Sequence, residues 1–149
     1  MKIVNGNIIH MAQQNKFDVI VHGCNCQNVM GLGVANLIKI YYPAAWDIDV
    51  EVSKKNKPKD KLGRISWVII GNLTVVNAYT QLNYGRYHKQ VDYKAIRSCF
   101  KSIAEKCNPK HRIGYPAIGA GLGGGDWDVI KEIIDEELEG LDHTVVFFD

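Results

Sequence analysis

No stretch of this chain approaches the ~18–20 consecutive apolar residues that a membrane-crossing helix needs. The opening Met1–His10 is interrupted by Asn5, Gly6 and Asn7, so it lacks the apolar centre of a secretion signal. Cysteine is sparse: Cys24, Cys26, Cys99 and Cys107. Cys24 and Cys26 are too close for an ordinary bridge, and the other two fall in a helical pattern. The C-x-C spacing does not match a common zinc pair, and no second ligand pair follows. The expectation is four reduced thiols in a cytoplasmic protein, with no metal and no cofactor. Proline is limited to four residues, and neither internal repeats nor a long linker are present. An excess of one charge is also missing, because 18 basic and 16 acidic residues leave a formal net charge of +2.

What is present suits one soluble globular domain spanning residues 1–149. Hydrophobic residues make up 46% and charged residues 23% of the chain, which excludes a disordered tail, a collagen-like fibre and a coiled coil. A domain of this size buries about 70% of the surface of its unfolded chain and needs no disulfide or metal staple. The small net charge conceals two unequal regions, +5 over Lys54–Arg64 and −8 over Asp126–Asp149. The basic segment reads first as a solvated loop, since Pro58 breaks any continuous helix. A nucleic-acid contact is the sharper alternative, but no aromatic residue interleaves the lysines.

Strands and helices alternate along the chain. Lys2–Val4, Asp18–His22, Arg112–Ala117 and His143–Phe148 read as strands. Ile65–Ile70 and Leu73–Ala78, joined by Gly71-Asn72, read as an antiparallel hairpin. Gly33–Tyr42 has helical spacing and is stopped by Pro43, and a weaker helix covers Ala45–Lys54. Asp92 and Asp126 are placed to cap two further helices, the second ending at Leu138. The fold class expected is an α/β sandwich with helices on both faces of a mixed central sheet.

Glycine is the informative residue. Eight of the 14 glycines lie in Gly23–Gly33 and Gly119–Gly125. Each stretch joins a strand to a helix. Backbone N–H groups at a helix N-terminus are unpaired, the helix dipole places roughly half a positive charge there, and glycine lets a phosphate approach. Gly119, Gly121 and Gly124 also fit G-x-G-x-x-G, but the loop is nearly C-terminal and lacks the following strand and acid of a dinucleotide fold. Two such loops at strand C-terminal ends suit a diphosphate held between them.

The loops and their order resemble the macrodomain family, which binds ADP-ribose. Asp18–Asn25 (Asp-Val-Ile-Val-His-Gly-Cys-Asn) resembles the family's strand ending in Asn-Ala-Ala-Asn. Met30–Ala35 resembles its first phosphate loop and Tyr115–Trp127 its second, while Asn5–Ile9 resembles the segment at the adenine end. The resemblance implies a three-layer α/β/α sandwich. It also implies ligand contacts from Asn7, Ile8, Asn25, Met30, Gly31, Leu32, Gly33, Val34, Ile118, Gly119, Ala120, Gly121, Leu122, Gly123 and Gly124. His-Gly-Cys-Asn-Cys and the compact length resemble the stand-alone fungal and phage type, linked to removing phosphate from ADP-ribose 1''-phosphate. A lesser likeness is to the subgroup that removes ADP-ribose from acidic side chains or DNA.

The match is uneven. Asn7 stands where the family commonly has an aspartate that accepts from the adenine amino group; the Asn carbonyl oxygen can still accept, without charge. Ala35 replaces the aspartate of one hydrolase class. The lysine and aspartate of the glutamate- and DNA-directed subgroup fall near Tyr84 and at Gly123. For phosphate ester cleavage the candidates are His22, Asn25 and Asp126, with His88 and Asp92 behind them. An imidazole titrates near neutrality, so His22 could serve as general acid or base. His22 could equally fix the loop, and Asp126 could simply cap its helix. Trp127 reads as core, and Tyr84 and Tyr87 as pocket-lining aromatics. Three functions stay open: a phosphatase acting on ADP-ribose 1''-phosphate, a non-catalytic ADP-ribose reader, and an ADP-ribosyl hydrolase using other residues. The expected partner is ADP-ribose or ADP-ribose 1''-phosphate, bound by a monomer, with neither membrane nor nucleic acid as the expected surface.

Overall fold

Six strands form one sheet, ordered β1-β6-β5-β2-β4-β3, in a computed structural model that describes residues 1–85, 89–121 and 123–148. The strands are β1 (Lys2–Gly6), β2 (Val19–Asn25), β3 (Ile65–Ile70), β4 (Leu73–Gln81), β5 (Arg112–Tyr115) and β6 (Asp142–Phe148). Every neighbouring pair is parallel except β3 with β4, which meet through the Gly71-Asn72 turn as expected. The helices are α1 (Ile8–Gln13), α2 (Gly33–Tyr41), α3 (Pro43–Lys55), α4 (Pro58–Lys61), α5 (Tyr93–Lys106) and α6 (Trp127–Glu137). None is long and apolar enough to cross a membrane.

The period of two along each strand divides the core into two layers. Val19 and Val21 of β2, with Val76, Ile113 and Val145, face α5 and α6, where Ile96, Phe100, Ile103, Ile130 and Ile134 meet them. Ile20, the residue between, packs on the other face with Val75 and Val146 against Ile8 and Ile9 of α1, Ile38 of α2 and Ala45 of α3. The expected mixed sheet with helices on both faces is therefore the observed architecture.

Local chemistry sets the helix boundaries. Asp92 and Asp126 cap α5 and α6 by accepting from the N–H groups of Ala95 and Asp128. Pro43 stops α2 and opens α3 at its first turn, where a missing N–H costs nothing. Two short helices were not legible from periodicity. α1 has six residues, too few to show a period, and exists because Asn7 accepts from the N–H groups of both Ile9 and His10. α4 is a single turn begun by Pro58 inside the basic segment.

At the N-terminal edge of the parallel strands, Arg112 forks onto Asp18, with Nε to Oδ2 and Nη2 to Oδ1 both 3.0 Å, and ties β2 to β5. That guanidinium holds the Asp18 carboxyl below its ordinary range. Phe17 then folds over β5 at Gly114, where a Cβ would lie 2.7 Å from the ring. Gly114→Ala should therefore cost about 1–3 kcal/mol, the usual size of an overpacked core position. A lower urea midpoint at unchanged denaturant dependence is the expected result.

Candidate functional site

Because β5, β2 and β4 are adjacent, and β5 and β4 both run parallel to β2, their C-terminal ends open on one edge of the sheet. Both glycine-rich loops leave from that edge and enclose a cavity of about 480 Å³. Ligands of open α/β sheets bind in such a crevice.

The first loop begins with a slip in the sheet. Cys24 faces Tyr79, but Asn25 faces Gln81, so the ladder skips Thr80 and the chain turns outward. Asn25 then organises the turn through its own side chain. Its Oδ1 accepts from the N–H of Gln27 at 2.9 Å and of Val29 at 3.4 Å, and its Nδ2 donates to the Val29 carbonyl at 2.7 Å. The loop ends at α2, whose N-cap Leu32 has no side-chain acceptor, and no acidic residue stands in the first turn. Gly33, with φ of 63°, begins that helix in a backbone conformation most residues resist. Gly33, Val34 and Ala35 line the cavity, so the uncapped positive end of α2 faces it.

The second loop folds on itself through bonds from Gly124 N–H to the Gly121 carbonyl and from Gly125 N–H to the Gly119 carbonyl. Gly119 has φ of 78°, and a Cβ there would sit 2.6 Å from Val91. The Gly123 carbonyl accepts from the N–H groups of Gln90 and Val91 and anchors the loop to the segment before α5. Gly121 faces open space.

Of the expected ligand contacts, Asn25, Gly31, Leu32, Gly33, Val34, Ile118, Gly119, Gly121 and Gly123 line this cavity. Asn7, Ile8, Met30, Ala120 and Gly124 do not. The Asn7 oxygen offered above to an adenine amino group is already the cap of α1. The side chains of Ile8 and Met30 are buried in the apolar clusters, but the contact expected of Ile8 is its backbone N–H, which side-chain burial leaves untouched. Leu122, Tyr87 and His88 lie outside the described residues. Gly23, Cys24, Thr80 and Gln81 line the cavity unforeseen. The sequence reading ended β4 at Ala78, although Tyr79 and Thr80 are good strand formers and could have extended it.

Two candidate catalytic residues stand elsewhere. His22 is buried, and its Nε2 donates to the Asn77 oxygen. The donor sense follows because Asn77 spends its amide hydrogens on the Ala45 carbonyl and Ser66 Oγ. Burial pushes the His22 pKa down to about 4. A neutral imidazole sealed from the cavity does not fit the acid–base role and does fit the loop-fixing alternative. Asp126 is exposed, caps α6, and meets Tyr93 only by donating its backbone N–H to the Tyr93 hydroxyl oxygen. It does not reach the cavity either. Trp127 packs edge-to-face on Phe147 as a core residue.

Among the described residues, the titratable groups lining the cavity are Cys24 and Tyr84; none is a carboxylate, histidine, lysine or arginine. Burial pushes the Cys24 thiol well up, so it is protonated and a poor nucleophile. Ala35, Tyr84 and Gly123, at or near which the resemblance sets the acids and lysine of other hydrolase classes, all line the cavity. No group of three His, Cys, Asp or Glu among the described residues is placed to hold a metal ion. None of the four cysteines is disulfide-bonded.

The fold is a three-layer α/β/α sandwich whose two glycine-rich loops leave adjacent parallel strands at one cavity. The Macro domain family model matches residues 21–134, and the chain belongs to that family. It is 30% identical to an uncharacterized 17.5 kDa protein from the tk-vs intergenic region of Enterobacteria phage T4, over 98% of this chain and 95% of that one. It is 26% identical to a DNA ADP-ribosyl glycohydrolase of Thermus aquaticus, over 99% of this chain but only 40% of that protein. The macrodomain of Thermus aquaticus DarG superposes with a TM-score of 0.75 at 24% identity, over 99% of this chain and 95% of that one.

The buried neutral His22 makes stability depend on pH. Its folded pKa of about 4 lies below the unfolded value of 6.5, so the unfolded chain binds the proton first. Its contribution is complete above pH 6.5 and is lost as pH falls through that value towards 4, by about 3 kcal/mol. His143 adds a loss of the same sign. Urea unfolding at pH 7 and pH 5 should show a smaller pH difference for His22→Gln than for the unaltered chain.

Proposed function

We propose that the cavity binds ADP-ribose through its diphosphate and that the chain hydrolyses ADP-ribose 1''-phosphate to ADP-ribose and inorganic phosphate. One observation carries this reading: a cavity without a carboxylate among its described lining residues opens onto an uncapped helix N-terminus. A diphosphate wants neutral N–H donors and a positive dipole, which the Gly31–Ala35 segment supplies. A terminal phosphate adds negative charge, which the same environment tolerates.

The chemistry of the bond to be broken points the same way. Cleaving a ribosyl bond builds positive charge on the sugar and draws on nearby carboxylates. Ala35 and Gly123 offer none. Transfer of a phosphoryl group from a monoester passes through a loose transition state, in which positioning and electrostatic stabilisation of the phosphate oxygens dominate. Water attacks phosphorus, the bond from phosphorus to the 1''-oxygen breaks, and a proton passes from water to the leaving oxygen. Asn25 is the polar side chain of the first loop best placed to orient this end of the ligand, with one Nδ2 hydrogen beyond its bond to Val29.

A second reading has its own support. The described lining residues hold no carboxylate, histidine, lysine or arginine, which also suits a module that binds ADP-ribose without turnover. Removal of ADP-ribose from DNA or protein, the activity in the name of the Thermus aquaticus relative, is the third outcome to be distinguished.

Incubation with ADP-ribose 1''-phosphate, a modified glutamate peptide and modified DNA, with analysis of phosphate and ADP-ribose, decides among them. Phosphate release above a boiled control is the expected result; tight ADP-ribose binding with no product from any substrate would replace the phosphatase with the reader. Gly33→Glu should weaken ADP-ribose by roughly 1,000-fold, because a like charge near 4 Å costs about 4 kcal/mol near a protein surface. Gly33→Ala, which carries the backbone strain without the charge, should lose much less in the same calorimetric titration.

A further inference from the structure

The basic segment contains a residue that is not at the surface. Lys61 is 1% exposed, on the single turn of α4, and pairs with Asp49 of α3, itself 1% exposed. This corrects the reading of Lys54–Arg64 as wholly solvated, and it withdraws Lys61 from any nucleic-acid surface. A buried ammonium is tolerated only when its donors are all matched. Its Nζ reaches Asp49 Oδ1 at 3.1 Å, Ser53 Oγ at 2.7 Å and the backbone carbonyl of Cys26 at 3.3 Å. Three hydrogens thus meet three acceptors, and one of those acceptors belongs to the glycine-rich loop.

The slip in the sheet explains why that carbonyl needs a partner. After Asn25 the chain leaves the ladder, with the Cys26 N–H still bonded to the Leu82 carbonyl at 3.2 Å. The Cys26 carbonyl turns inward, where Lys61 is the donor that satisfies it. Asp49 is held in turn by the Tyr79 hydroxyl at 2.7 Å, and Tyr79 reaches Ser66, Asn77 and finally His22. The loop that presents Asn25 is therefore tied to a buried polar network spanning α3, α4, β2, β3 and β4.

We propose that Lys61 is a positioning residue for the ligand cavity: paired with Asp49, it holds the Cys26 carbonyl and so fixes the turn that presents Asn25. This rests on the reading that the cavity is the ligand site, and the Lys61 contribution can be tested without a ligand. Lys61→Met alone strands a buried carboxylate and will lower stability for that reason. Asp49→Asn/Lys61→Met removes both charges and leaves the Cys26 carbonyl without its donor.

The double variant should unfold at a urea midpoint closer to the unaltered chain than Lys61→Met does. It should nonetheless show faster amide hydrogen exchange over residues 26–29 and roughly tenfold weaker ADP-ribose binding, the scale of one lost hydrogen bond to a charged group. Unchanged exchange in that segment would overturn the proposal. If the double variant does not fold, the unaltered protein decides. The Gln27 amide, whose partner is the Asn25 side chain inside the turn, should be protected well above an exposed loop, and exchange at the rate of an exposed loop would overturn the proposal. Absence of ADP-ribose binding by the unaltered chain would overturn the ligand reading, while the exchange result still judges Lys61.

Discussion

The parallel pairing of β2 between β5 and β4 is the constraint on which the rest depends. Neighbouring strands lie about 4.8 Å apart, so loops leaving adjacent parallel strands at the same end must begin side by side. That juxtaposes two glycine-rich segments separated by 85 residues of sequence. Reversing either strand would send its loop to the opposite edge. The fork between Arg112 and Asp18 joins β2 and β5 at the other edge and secures their register. The apolar layers on both faces hold the sheet as a whole, with Val19 and Val21 committed to one and Ile20 to the other.

Beneath the cavity the protein keeps an unusual amount of buried polarity. His22, Asp49, Lys61, Ser66 and Asn77 are all buried, and each is hydrogen-bonded to another member of the set or to backbone. Such a network is expensive when incomplete and highly directional when complete. It supports a site whose own walls are largely neutral. Asp49, the one carboxylate of this set, is kept below the surface, while glycines and the uncapped N-terminus of α2 line the cavity. The electrostatics of this protein are thus arranged in layers, with the charged pair inside, the uncapped dipole of α2 at the cavity and the exposed lysines of the basic segment elsewhere.

Much of this was legible beforehand. Periodicity located the four longer helices, because α2, α3, α5 and α6 each have at least nine residues to display it. Asp92 and Asp126 announced their helix starts, and Gly71-Asn72 announced the hairpin. The loops were found through glycine, and nine of the expected contacts do meet in one cavity. The misses share a cause. α1 and α4 are too short to carry a pattern, and both are decided by a cap or a proline acting with tertiary packing. His22 lies in the middle of β2, which runs on to Asn25, and Asp126 caps α6; residue type alone says nothing about which way such a side chain faces.

The caps, the hairpin turn and the glycine-rich loops could be read from the chain alone, because each depends on neighbours a few residues away. The sequence also contained the family pattern, since that pattern is a string of local motifs in order. Which polar groups line the cavity and which are sealed away from it was settled by long-range packing. Lys61 shows why. In sequence it is one of six basic residues among the eleven of Lys54–Arg64, with the composition of a solvated loop. In the fold it meets Asp49, Ser53 and the Cys26 carbonyl, partners on separate segments, and their combined hydrogen bonds make burial of its charge affordable. No local rule encodes that meeting, because it depends on where the slip in β2 turns a single carbonyl.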